Sequence, residues 1–223
     1  MIGVAQSIHQ VDAGNIYCMS RLSLHPTKSK LAIYEHNQAS QLVFMNPEGI
    51  NLKILKAGFE QLDVMLGYYS KVTVVLLQLH QHTFTKGNQA ISALFKKLIT
   101  QLKKHYRCRI GYIWVREQEQ AVSQHYHAAI MLSGHVCQKS YEIDKLAKEL
   151  WHQLDPANFS YKVKNRVYRI QTYLKNHELN AARLRLSYMA KNKGKSADKG
   201  VQNYSTSRLK PKQYHRTRSN NRN

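Results

Sequence analysis

His125-Tyr126-His127-Ala128-Ala129-Ile130-Met131-Leu132 is the stretch on which the fold of this chain turns. An apolar run of this length, opened by two histidines around one bulky residue, reads as a strand. Side chains alternate along a strand, so both imidazoles share one face, roughly 7 Å apart at Cα. That is close enough for them to converge on one divalent ion. The preceding run Arg109 to Arg116 (Arg-Ile-Gly-Tyr-Ile-Trp-Val-Arg) predicts a second strand, antiparallel to the histidine strand, with Glu117 to Gln124 as the turn between them. Further upstream, Val72 to Leu79 is apolar and rich in β-branched residues, the pattern of a strand buried on both faces.

Helical spacing fills the intervals. A helix is predicted from Pro47, capped by Asn46, with Leu52, Leu55, Phe59, Leu62 and Leu66 as its apolar stripe. Another follows Gly87-Asn88, from Gln89 to Tyr106, with Ile91, Leu94, Phe95, Leu98 and Leu102 facing inward. A third runs from Ser140 to Gln153, with Ser140 as its cap and Glu142 and Asp144 in its first turn. Tyr161 to Ile170 holds a further short strand, and a last helix spans Asn180 to Lys193. This order predicts an α+β fold, a central antiparallel β-sheet flanked by helices, with the helices on one face in a ferredoxin-like or palm-like arrangement. Residues 1–45 form an N-terminal arm or hairpin, 46–192 the main domain, and 193–223 a basic tail. That tail carries nine Lys or Arg and one acid, Asp198. It has too little apolar surface to offset its ordering entropy, so it is expected to be flexible until bound.

Across 223 residues, 34 Lys and Arg face 13 Asp and Glu, a net charge of +21. An excess of this size calls for a polyanionic partner, most simply nucleic acid. No apolar run is long enough to cross a bilayer, the N-terminus lacks a signal-peptide pattern, and no amphipathic helix has a broad exposed apolar face. Cys18, Cys108 and Cys137 are scattered and form no CxxC pair, as expected of free thiols in a reducing cytoplasm. His135 with Cys137 is a zinc half-site without a second half.

Two imidazoles need a third protein ligand. Glu117 and Glu119 stand at the end of the neighbouring strand and in the turn, and Glu117, which ends the strand, is preferred. The expected ion is Mg²⁺ or Mn²⁺, with open positions for phosphate oxygens and water, although zinc or nickel would bind such nitrogens well. His80-Gln81-His82 is a competing pair that runs out into a loop, and His80 is as readily a supporting neighbour of the site. Downstream, Tyr188-Met189-Ala190-Lys191 puts a tyrosine and a lysine on one helical face, one turn apart. A phenol ionises near pH 10 and needs nearby positive charge to act as a nucleophile. Lys191, Arg183, Arg185 and Lys193 supply it. The rival, Tyr173, has its lysine at i+2, which faces away on a helix. Lys193, Lys195, Lys199, Arg208, Lys210 and Lys212, with Arg216 and Arg218, read as phosphate contacts. Six to ten such contacts imply a loss of roughly 10³ to 10⁵ in affinity between 50 and 200 mM salt.

In these motifs the chain resembles the HUH-endonuclease superfamily of rolling-circle replication initiators. More narrowly it is similar to the replication proteins of filamentous phages (inoviruses) and to prophage YagK/YfjJ-type proteins. The likeness rests on His125 to Leu132, on Tyr188-Met-Ala-Lys191, on Trp114-Val115-Arg116-Glu117 and on Tyr204-Ser205-Thr206-Ser207-Arg208, and covers about residues 50–210. It implies nicking of single-stranded or hairpin DNA through a 5′-phosphotyrosine that leaves a free 3′-hydroxyl, followed by re-joining. One motif tyrosine rather than two implies a single-tyrosine nickase and strand transferase.

The leading expectation is therefore a metal-dependent DNA nickase that starts rolling-circle replication in the cytoplasm of a bacterial host. His125, His127 and Glu117 hold the ion, Tyr188 attacks, and Lys191 stabilises phosphate charge. No phosphate-cradling GxxxxGK[ST] loop is present, so unwinding would fall to a host helicase. Two alternatives are a non-catalytic basic module that binds nucleic acid and a structural protein that coats it.

Overall fold

The computed structural model describes residues 22–118, 123–174, 177–195 and 200–213. Its centre is β4 (Lys71–His80), whose two faces serve two different cores. Val72, Val74 and Leu76 point into one, while Val75, Leu77 and Leu79 point into the other. This period-two split is why the run carries no polar alternation.

β6 (His125–Ser133) pairs antiparallel with β4 along its whole length, and β5 (Gly111–Glu117) pairs antiparallel with β6. The other side of β4 takes two short antiparallel strands, β7 (Phe159–Tyr161) near His80 and β8 (Val167–Gln171) near Lys71. Two helices link these strands, α2 (Gln89–Tyr106) between β4 and β5 and α3 (Tyr141–Leu154) between β6 and β7. The resulting order β8-β4-β6-β5 is two interleaved split βαβ units, the ferredoxin-like plan.

Helices cover both faces rather than one. α2 and α3 bury Ile91, Leu94, Leu98, Ile143 and Trp151 against the Leu77 and Ile130 face. The opposite face is covered by α1 (Leu52–Tyr68) and α4 (His177–Met189), through Leu55, Phe59, Leu62, Leu186 and Met189. α4 also packs on a separate antiparallel sheet of β1 (Leu22–Leu24), β2 (Leu31–His36) and β3 (Ala39–Phe44). Residues 22–44, expected as an arm or hairpin, are thus a three-stranded sheet docked on the main domain.

Three local expectations shift. The first helix starts at Leu52, not Pro47, and its cap is Asn51, whose side chain accepts from the backbone N–H of Lys53 and Ile54 at 3.1 Å each. Asn46 to Gly49 instead form a turn closed by Gly49 N–H on Asn46 O, with Gly49 at φ 82°. Ser140 stands at the start of α3 but its hydroxyl donates to Asp144 Oδ2 (2.8 Å), not to a capping contact. The last helix ends at Met189, because Asn51 N–H takes Ala190 O (2.7 Å) and Asn192 N–H takes Gly49 O (3.0 Å). Part of the expected tail is ordered too: β9 (Tyr204–Thr206) pairs with β5 and extends the central sheet. Among the described residues, no helix is long and apolar enough to cross a membrane.

Candidate active site

One row of side chains crosses the central sheet. Glu117 on β5 pairs in register with His125 on β6, and His125 pairs with His80 on β4. His127, two residues along, lies on the same face. Ligand atoms of Glu117, His125 and His127 all lie within 4.8 Å of one another, and these three are the one group of this kind among the described residues.

Glu117 is fully buried. Its Oε2 has His127 Nε2 at 3.4 Å, His125 Nε2 at 3.6 Å and Lys191 Nζ at 3.2 Å, yet accepts no well-directed hydrogen bond. A buried carboxylate oxygen in that condition, between two imidazoles, fits a divalent cation. Burial pushes the Glu117 carboxyl up, but the His125 and His127 rings and the Lys195 ammonium outweigh it and hold the group well below the usual carboxylate range. It is therefore an anion at neutral pH, as a metal ligand must be.

Tyr188 comes from the last turn of α4 and stands edge-on to His127, with ring centroids 6.1 Å apart. Phe44 of β3 packs on its ring at 4.9 Å. Ser187 Oγ accepts from Phe44 N–H (2.7 Å), which fixes the turn that carries the tyrosine. Lys191 lies beyond the helix end, in a bridge with Ile50, not one helical turn from Tyr188 on a common face. Its ammonium nevertheless sits 4.9 Å from the Tyr188 ring centre, and Arg185 sits 5.5 Å away. Lys195, expected as a phosphate contact, has its Nζ 2.7 Å from Glu117 Oε1.

His80 is not a ligand of this group. Its ring stacks on His125 at 5.0 Å and 10°. Burial, with His125 and His127 adding to it, pulls its pKa down to about 4, so it is neutral at pH 7. His82 is exposed and turns towards Asp155 (3.8 Å). Tyr173 lies beside Lys71, at the other end of β4, about 30 Å of strand away from His80. Arg183 is committed to Asp63 (2.6 Å), while Lys193 is exposed near the site. Arg208, Lys210 and Lys212 follow β9 away from Glu117, and Lys210 O accepts from Tyr68 OH at 3.1 Å. His135 meets Ser70 and Cys137 meets Lys139 O, so they form no zinc half-site. Glu119, Lys199, Arg216, Arg218 and Cys18 lie outside the described residues.

Sequence reasoning missed the contact of Lys195 with Glu117, the support of Tyr188 by Phe44, and the ring of Phe159 stacked on His80 at 4.7 Å. Each is a contact between residues far apart in the chain, and no local pattern marks it.

The model of one family, described as the YagK/YfjJ C-terminal domain, matches residues 35–207. No curated protein and no solved structure matches the chain.

Proposed function

The chain belongs to the YagK/YfjJ C-terminal domain family, and from that premise we propose that it is a DNA nickase and strand transferase of the HUH-endonuclease kind. In this reading it starts rolling-circle replication of a phage or prophage element in the cytoplasm of a bacterial host. The observation that carries the reading is the approach of Tyr188 to His127, their rings nearly perpendicular with centroids 6.1 Å apart, beside the two histidines and the buried Glu117.

His125, His127 and Glu117 would hold a Mg²⁺ or Mn²⁺ ion. When bound, such an ion supplies Lewis-acid charge at phosphate oxygens. Tyr188 Oη attacks the scissile phosphorus of a single-stranded or hairpin DNA. A Tyr188 O–P bond forms as the P–O3′ bond breaks, and the proton lost by the phenol is balanced by the one the 3′ oxygen takes up. The products are a 5′-phosphotyrosine and a free 3′-hydroxyl, and the reverse reaction re-joins strands. Lys191, close to both Glu117 and the Tyr188 ring, offsets the charge that grows on the phosphate. Lys195 neutralises Glu117 from its other oxygen. Unwinding would come from a host helicase.

The test is incubation of the full chain with labelled single-stranded DNA from the region flanking its gene, with Mn²⁺. The expected result is a covalent adduct that survives denaturing electrophoresis and disappears with EDTA or in Tyr188→Phe. Cleavage by Tyr188→Phe equal to that of the parent would refute the assignment. Binding that ignores chelators, without any adduct, would leave a non-catalytic nucleic-acid-binding module.

A further inference from the structure

The row of side chains that ends in the ligand group begins at solvent. β7 is an edge strand of the central sheet. Its Phe159 pairs in register with His80, as His80 does with His125. The three rings stack nearly parallel, with Phe159 to His80 at 4.7 Å and 10° and His80 to His125 at 5.0 Å and 10°. Tyr161, two residues on and so on the same face, stands edge-on to both, 4.8 Å from His80 and 5.2 Å from Phe159. Phe159 remains 41% exposed and Tyr161 59%. A stack of flat rings therefore runs outward from a metal ligand and stops at open solvent, with a tyrosine as its side wall.

We propose that Phe159 and Tyr161 form a stacking platform for an unpaired base of the DNA strand, which continues the ring stack outward from His125. The proposal rests on the nicking reading for the place of the scissile linkage. It adds that the substrate is recognised by being single-stranded close to that linkage. Strands lie about 4.8 Å apart, so Phe159 is about 10 Å from His125 across β4, within a few nucleotides of a phosphate at the ligand group. An unpaired base can present its face to this end, whereas a base inside a duplex is covered on both faces by its neighbours. Charge favours the same occupant: the chain carries a net charge of +21, and the exposed Lys162 directly follows Tyr161 on the edge strand, a cation for the sugar-phosphate backbone. Stacking of this kind tolerates any base, because every base has a π-face. His80, held between Phe159 and His125, is the positioning residue that joins platform to ligand group.

The test uses the full chain in EDTA, titrated with labelled oligo(dT) and separately with a relaxed, covalently closed circular duplex, which has no terminal base pair to stack. Phe159→Ala and Tyr161→Ala are each expected to weaken binding of the single strand about 5- to 150-fold and to leave duplex binding unchanged. Phe159→Tyr is expected to bind as the parent does. Phe159→Leu keeps apolar bulk without a flat ring, guards against a folding defect in the alanine variant, and is expected to lose single-strand affinity too. Alanine and leucine variants that hold the single strand as tightly as the parent, or that lose duplex binding equally, would overturn the platform. Failure of the two ideas looks different. A parent that forms no adduct while its platform variants lose the single strand sinks nicking alone, and normal adduct yield with insensitive platform variants sinks the platform alone.

Discussion

Glu117 on β5 stands directly across the ladder from His125 on β6, and its buried Oε2 reaches within 3.6 Å of the His125 ring nitrogen. Register alone fixes this meeting. A slip of β5 by one residue against β6 would turn Glu117 to the opposite face, into the apolar layer under α2 and α3 and away from His125. The Glu117, His125 and His127 group is therefore held by the same ladder that builds the core.

Glu117→Gln tests that placement with almost no change of shape. The amide keeps the volume but loses the negative charge that faces the two imidazoles. Mn²⁺ affinity, measured by calorimetry, is expected to fall at least about 10- to 100-fold, the range for losing a group that only orients a ligand. Unchanged Mn²⁺ affinity would show that the carboxylate is not a ligand.

Lys191 serves a different purpose, and Lys191→Gln should separate the two. Its ammonium lies 3.2 Å from Glu117 Oε2, where it competes with any cation for that oxygen. Removing it is expected to tighten Mn²⁺ binding. The same change takes positive charge from beside Tyr188, and adduct formation is expected to slow by about 10² to 10³. A variant with slower adduct formation and weaker Mn²⁺ binding would instead make Lys191 a scaffold for the ligands.

The parts of this molecule that were legible in its sequence are those set by local periodicity. α2 begins at Gln89 and ends at Tyr106, and its five buried residues are the ones that its three-and-four spacing marks. The period of two on β6 likewise brings His125 and His127 to one face, and Glu117 enters because it closes the adjoining strand. What was not legible depends on partners distant in the chain. Asn51 rather than Asn46 caps α1, since Asn46 is spent on the turn that ends at Gly49. Lys191 leaves the helix because residues 49–51 bind the backbone of 190–192. β9 lies in a polar, basic stretch with little propensity of its own, and only the open edge of β5 makes it a strand.

Arg116 precedes Glu117 and so points to the other face of β5. Its guanidinium donates to Thr85 O (2.7 Å), Gly87 O (2.8 Å), Lys86 O (3.3 Å) and Asn88 Oδ1 (3.3 Å), which ties down the loop before α2. Arg116→Met takes the donor from those part-buried acceptors and is expected to destabilise the fold by roughly 1–3 kcal/mol in urea unfolding. Mn²⁺ affinity of the folded variant should equal that of the parent. Loss of metal binding at full stability would mean that Arg116 belongs to the site.

Asp63 on α1 sets the acid sensitivity of the face that carries Tyr188. Its carboxylate receives Arg183 NH2 at 2.6 Å and Asn37 Nδ2 at 2.8 Å, and lies 2.6 Å from His36 Nε2, so α1, α4 and the β2–β3 turn meet on one charge. Burial raises the carboxyl, but the contacts with His36 and Arg183 prevail and hold it below its ordinary value. A carboxyl depressed in the folded state contributes stability that is complete above its unfolded pKa, near 4, and is lost as pH falls through the lower folded value. Asp63→Asn removes that contribution at every pH. In urea titrations the variant is expected to be less stable than the parent by about 1–3 kcal/mol at pH 6, the range for hydrogen bonds to a charged group. The gap should shrink as pH drops below 4, because the parent then loses what the variant already lacks. A gap of constant size from pH 6 to pH 2.5 would show that the ionised carboxylate is not what joins these three elements.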